Sequence, residues 1–247
     1  MVLTESKQLY SCRYMLIAGE CNTQREMPLQ LLASRIIEIA TFHANYWGVG
    51  YAKLLEYNQA WVLSRMAIEM KRFPKVGEYY TLTTWVENYN RHFSERHVEI
   101  KDDDGNVLGY ARTIWAVIDI TTRSSCDITA FEFMRDNILA KECPIERQSR
   151  FKTVNHLRES SYTFRSSDID FNRHVNTLRY IGVLLNQWNV DFYDKHRIHR
   201  FEISFAKECR ENEEVTIGID DSTDECLLEI VHNNAVVCKA KFIFENR

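Results

Sequence analysis

The chain's 247 residues suffice for one large domain or two small ones, and with 8 glycines and 3 prolines little of it is linker. A net charge of −4 argues against a general nucleic-acid binder, and no apolar run is long enough for a membrane span. Seven cysteines, at 12, 21, 126, 143, 209, 226 and 238, form no CxxC pair and read as reduced thiols of a cytoplasmic protein, most of them buried.

In chain order, "MVLTESKQLYSCRYMLIAGECN" lacks a basic stretch followed by an apolar one and reads as the first strand, not a leader. A long amphipathic segment follows over roughly 34–55, broken near its end by Gly48 and Gly50. "RMAIEMKRFPKVGEYYTLTTWV" alternates apolar and polar residues, passes a charged turn and alternates again, the pattern of two antiparallel strands. "DDDGNVLGYARTIWAVID" is a hairpin turn followed by a strand from Val107. Residues 129–157, with a short helix in "AFEFMRDNILAK" and a charged stretch "ECPIERQSRFK", read as a connector. A second amphipathic segment, roughly 175–192, carries Leu178, Ile181, Leu184, Leu185 and Trp188 at helical spacing. "RFEISFAKECRENEEVTIGID" then gives two further strands, and "VHNNAVVCKAKFIF" a hairpin turning at Asn233-Asn234.

The two halves are one unit written twice. An ungapped offset of 135 (201 − 66) sets Met66 on Phe201, Ile68 on Ile203, Met70 on Phe205, Glu78 on Glu213 and Thr81 on Thr216. Each half runs strand, long helix, antiparallel strands, and a helix laid across such a sheet covers its apolar face. The fold class is therefore α+β, with units at 1–128 and 158–247 joined by 129–157.

The segment "SSDIDFNRHVNTLRYIG" departs from the repeat. Asp168, Asp170, Asn172, His174 and Asn176 occupy alternate positions before the second helix. A helix N-cap explains one of them, not five. A calcium loop fails at Arg173, where glycine is required, and at Arg179, where a glutamate would chelate. Zinc spacing is absent, His196 and His199 stand among Lys195, Arg197 and Arg200, and neither a GxSxG elbow nor a phosphate-binding loop occurs. No metal or cofactor is expected.

Hydrolytic chemistry by carboxylate, amide and imidazole remains. In an extended segment Asp170, Asn172 and His174 share one side; histidine titrates near neutrality, and the helix start offers N–H donors, with Asn176, to a developing oxyanion. Glu208, read as the end of the strand "FEISFAKE", and its neighbour Cys209 replace Phe73 and Pro74 of the first copy. The bland alternative is an exposed acid at a strand end.

"DIDFNRHVNTLRYIG" followed by "FEISFAKECRENEEV" resembles the acyl-[acyl-carrier-protein] thioesterases of the plant plastid type and their bacterial relatives. "WVLSRMAIEMKRFPKVGEYYTLTTWV" and "RTIWAVIDITTR" extend the resemblance over most of the chain. It implies a double hotdog fold, each half a curved antiparallel sheet wrapped around a long helix. It also implies hydrolysis of fatty acyl-[acyl-carrier-protein], releasing free fatty acid and ending elongation, with acyl carrier protein as partner. By position it implies Asp170, Asn172, His174 and Glu208 as the catalytic set and Cys209 as an alternative nucleophile; the preferred reading is attack by water, and the motif alone does not decide between the two. "HVNT" stands where "HVNN" is commoner, and "ECRENEEV" is more acidic than the plant equivalents.

The lack of a transit peptide favours a bacterial cytoplasmic form, as a monomer or homodimer. Phe42, Tyr46 and Trp47 are candidates to line an acyl tunnel, with plain core as the alternative. "KHRIHR" (195–200) with Lys207 and Arg210, or "ERQSRFK" (146–152), are candidate docks for an acidic carrier, with a solvated charged face as the alternative. Two rivals share the fold logic: an acyl-CoA thioesterase and a non-catalytic acyl-binding hotdog protein.

Overall fold

The computed structural model describes residues 6–247 and divides into two units, Met1–Arg147 and Gln148–Arg247. In the first, alternation becomes a five-stranded antiparallel sheet. Its strands are β1 (Tyr10–Met15), β2 (Gln59–Met70), β3 (Tyr79–Tyr89), β4 (Ser94–Asp102) and β5 (Val107–Asp119), in the order β1-β3-β4-β5-β2. Helix α1 (Leu29–Tyr46) begins directly after Pro28, earlier than the periodicity suggests, and buries Leu32, Ala33, Ile36, Ile39, Ala40 and His43. It stops because Gly48 takes a left-handed φ of 74° just past the cap, after which a short α2 (Tyr51–Leu55) forms.

Residues 129–157, expected as a connector, divide between the units. Met134, at the expected short helix α3 (Glu132–Asn137), packs with Leu54, Val86, Val117 and Ile128. Cys143 and Ile145 pack on Trp85, whose indole N–H donates to the Lys141 carbonyl at 2.7 Å. Arg112 donates to the carbonyls of Ile145 (2.8 Å) and Cys143 (2.7 Å) and, at 2.9 Å, to Glu95. The charged stretch is thus partly a strap held by its backbone.

Beneath these elements lie two wholly buried histidines. His43 accepts from Arg96 at 2.9 Å, and burial, with Arg96 beside it, pushes its pKa down to about 3. Burial does the same to His97, also to about 3, with Arg112, Arg147 and Arg96 adding to the effect. Both are neutral in the fold, whereas the unfolded chain protonates them near 6.5. Their contribution to stability is complete above pH 6.5 and declines as pH falls towards 3, by up to about 1.4 kcal/mol per pH unit for each group. Urea midpoints at pH 7.5 and 5 are expected to differ more in the wild type than in His97→Gln. Equal differences would contradict this account.

The second unit repeats the plan. Its strands are β6 (Arg158–Thr163), β7 (His196–Phe205), β8 (Glu214–Asp220), β9 (Glu225–His232) and β10 (Ala235–Asn246), in the order β7-β10-β9-β8-β6. Met66 and Phe201, and Ile68 and Ile203, are buried alike at the equivalent positions of the two copies. Asn233 and Asn234 both take left-handed φ values, 49° and 60°, as a tight two-residue hairpin turn requires. The expected single helix over 175–192 is two: α4 (Thr177–Leu185) and α5 (Val190–Lys195). Asn189 causes the break, because its side chain accepts the Phe192 N–H at 2.9 Å and starts a new helix. No helix among the described residues is long and apolar enough to cross a membrane.

Candidate active site

The alternating polar run is not extended. Ile169 and Val175 form an antiparallel bridge, and between them the chain turns tightly, with Asp170 N–H donating to the His174 carbonyl at 2.8 Å. The Asp170 carboxylate accepts the N–H of Asn172 at 2.8 Å and of His174 at 3.3 Å. The period of two therefore comes from a side chain folding the backbone beneath it, not from a strand. Asp170 holds the shape of the loop that presents Asn172 and His174.

Two other members of the run are also structural. Asp168, 5 % exposed, accepts from the Arg165 N–H at 2.8 Å and the Tyr162 hydroxyl at 3.0 Å. Asn176 caps α4, its Oδ1 accepting the Leu178 N–H at 2.9 Å. That commits both its side-chain carbonyl oxygen and one helix-start donor.

Glu208 does not end a strand, since β7 stops at Phe205. It lies in the following loop, which two hydrogen bonds fix to the turn and to α4. Val175 N–H donates to the Cys209 carbonyl at 2.8 Å, and Cys209 N–H donates to the Tyr180 hydroxyl at 2.8 Å. This lacing brings the Glu208 carboxylate to 3.4 Å from His174 Nε2, although 34 residues (208 − 174) separate them. Both are partly open to solvent, His174 at 21 % and Glu208 at 43 % of the side chain. Asp170, Asn172 and His174 stand on the wall of a cavity of about 750 Å³, along with Ser166 and Ile169. That volume is in the range of small-molecule sites.

Cys209 is wholly buried, and burial pushes its thiol up to about 11. At neutral pH it is a thiol, which is a poor nucleophile. The sequence pointed to Cys209 but not to Tyr180, whose buried hydroxyl anchors the loop; a tyrosine on the apolar stripe of a helix was the available signal.

Other expectations fare differently. Phe42 and Tyr46 are 36 % and 51 % exposed, so neither is enclosed as a tunnel wall would be, and half-buried Trp47 packs at a tilt against the His43 ring. In "KHRIHR", Arg197 and His199, both half-buried, pair with Glu245, and Arg200 is buried against Glu202, so these three groups already have partners within the chain. Glu87, Glu95 and His97 have the spacing of metal donors, but Arg112 already lies 2.9 Å from Glu95 and 4.0 Å from Glu87.

Comparison with known proteins agrees with this architecture. The chain matches the family model of the acyl-ACP thioesterase N-terminal domain over residues 7–135 and that of the C-terminal domain over residues 151–246. A crystal structure of an acyl-ACP thioesterase from Bacteroides thetaiotaomicron superposes with a TM-score of 0.91 at 34% identity, covering 98% of this chain and 100% of that one. The 12:0-ACP thioesterase from Umbellularia californica shares the fold, with a TM-score of 0.86 at 16% identity over 99% of both chains. A chloroplastic oleoyl-acyl carrier protein thioesterase of Arabidopsis thaliana is 25% identical over 86% of this chain and 64% of its own length. A chloroplastic palmitoyl-acyl carrier protein thioesterase of that plant is 24% identical over 77% and 50%. The chain thus spans roughly half to two thirds of these plant relatives. With both family models matched across nearly its whole length, the chain belongs to the acyl-ACP thioesterase family and has its double hotdog α+β fold.

Proposed function

We propose that the chain hydrolyses the thioester of fatty acyl-[acyl-carrier-protein], releasing free fatty acid and ending chain elongation. The observation that carries this reading is the His174–Glu208 pair at 3.4 Å, joined to a cavity wall that also presents Asn172. Family membership supplies the substrate class.

In this mechanism Glu208, with His174, orients a water and takes its proton as the water oxygen attacks the thioester carbonyl carbon. Asn172 holds the water or the carbonyl oxygen, and the Nδ2 of Asn176 is a further donor to the developing oxyanion. Collapse of the tetrahedral intermediate breaks the carbon–sulfur bond, and the abstracted proton passes to the departing thiolate. Asp170 acts through the loop it folds.

Direct attack by water is favoured over a cysteine nucleophile because Cys209 is buried and protonated. Cys209→Ser is therefore expected to keep fatty acid release from acyl-[acyl-carrier-protein] within about tenfold of wild type, measured by quantifying the free acid. Loss of several orders of magnitude in a folded Cys209→Ser protein would replace water attack with a covalent route.

A bacterial, cytoplasmic setting belongs to the same reading. It is supported by 34% identity with the Bacteroides protein over essentially both chains, against 23–28% for the plant relatives. It is also supported by seven unpaired cysteines, the habit of a reducing compartment.

A further inference from the structure

The cavity wall that carries Asp170, Asn172 and His174 also carries two arginines, Arg173 and Arg210. Elsewhere the chain commonly matches arginines with carboxylates: Arg13 with Asp103, Arg72 with Glu78, Arg158 with Asp221, Arg197 with Glu245. Arg173 and Arg210 are both exposed, and among the described residues neither has a carboxylate within ion-pairing distance. Two acids share the wall. Asp170 is committed to backbone N–H groups of its own turn, and Glu211 is exposed beside Arg210.

Both arginines are held by the devices that build the site. Arg173 sits between Asn172 and His174 with a φ of 65°, in the loop closed by Asp170. Arg210 follows Cys209, and its N–H donates to the Glu213 carboxylate at 2.9 Å. Hydrogen bonds to backbone N–H groups hold their loops, while no carboxylate pairs with their guanidinium groups, in a chain whose net charge is −4. Guanidinium forks suit phosphate oxygens, which they bind in bidentate fashion.

We infer that Arg173 and Arg210 form a phosphate subsite for the substrate's carrier arm. The inference rests on the proposed function. An acyl carrier protein presents its thioester at the end of a phosphopantetheine arm, so a phosphodiester accompanies every substrate molecule. The wall of the cavity of about 750 Å³ carries His174, whose Nε2 lies 3.4 Å from Glu208, together with both arginines, so one cavity offers groups for the thioester and for the phosphate of such an arm. The arginines are specificity residues: they select thioesters borne on a phosphorylated arm.

The test compares one acyl chain on 4′-phosphopantetheine and on pantetheine, which lacks the phosphate. Wild type is expected to show a KM about tenfold lower for the phosphorylated thioester. In the double variant Arg173→Gln, Arg210→Gln that ratio falls towards one, while Arg173→Lys, Arg210→Lys keeps most of it, since lysine still offers a charge to phosphate. A ratio of one in wild type, or a wild-type ratio surviving in the double glutamine variant, overturns the inference. So does a defect seen only on the intact acyl carrier protein, which would place the arginines against the carrier's own surface. Equilibrium binding of the non-hydrolysable alkyl thioethers of the two arms reads the same ratio without turnover. Failure of the subsite is thereby separated from failure of the hydrolytic reading.

Discussion

Glu208→Gln is expected to lower kcat for thioester hydrolysis by about 10²- to 10⁴-fold, the span of general base catalysis. The substitution removes the charge and keeps the shape. Glu208 is partly exposed, on a loop tied down by the Val175–Cys209 and Cys209–Tyr180 hydrogen bonds. The urea midpoint should therefore stay close to wild type while turnover collapses. His174→Gln should be equally damaging, and the double variant should be scarcely worse than either single one, because the two groups act as a unit. Independent, multiplying losses would show that they act on different steps.

The largest effect on stability is expected elsewhere in the same unit, at Glu202. Its side chain is 1 % exposed and lies 2.7 Å from the Arg200 guanidinium and 3.3 Å from the Lys241 ammonium, both themselves buried. Strand register puts these groups together: Arg200 and Glu202 are two apart on β7, and Lys241 of β10 is paired directly with Glu202. Glu202→Ala removes the buried anion shared by two buried cations and leaves Lys241 with the more exposed Glu225 at 3.3 Å, a loss of about 3 kcal/mol. Replacing Arg200, Glu202 and Lys241 together by apolar residues of similar volume should recover most of that loss. Urea denaturation of the full chain reads both results, and a Glu202→Ala loss below about 1 kcal/mol would show that the cluster is effectively hydrated.

Much of the fold was legible in the sequence because a half-buried strand has a period of two that turns interrupt. The 135-residue offset works for the same reason: Met66 and Phe201 differ in chemistry but share a buried place in their sheets. The helix break at Asn189 was less visible, since apolar spacing continues to Trp188 and the interrupting event is one side-chain hydrogen bond. The strap was hidden as well. Residues 139–147 look like a charged linker, yet what binds them is their carbonyl oxygens, which Arg112 and Trp85 find.

The candidate site was legible as a set of residue types and misleading as geometry. Asp170, Asn172 and His174 have strand-like spacing, but an aspartate folding its own loop produces the same spacing. Asp168 looks like a site residue and is an anchor, and the Oδ1 of Asn176 is taken by the cap of α4. Nothing in the spacing of His174 and Glu208 reveals that they meet. Their 3.4 Å approach depends on a backbone hydrogen bond between Val175 and Cys209, which leaves no mark on residue identity.

The central claim is that this chain hydrolyses acyl thioesters carried by acyl carrier protein. The measurement that tests it most directly is kcat/KM of the purified wild type on one fatty acyl chain presented on acyl carrier protein and on CoA. The account predicts turnover with free fatty acid as product and a clear preference for the carrier protein. Equal turnover on both would make the chain a general acyl thioesterase, and hydrolysis of neither by folded protein would contradict the account.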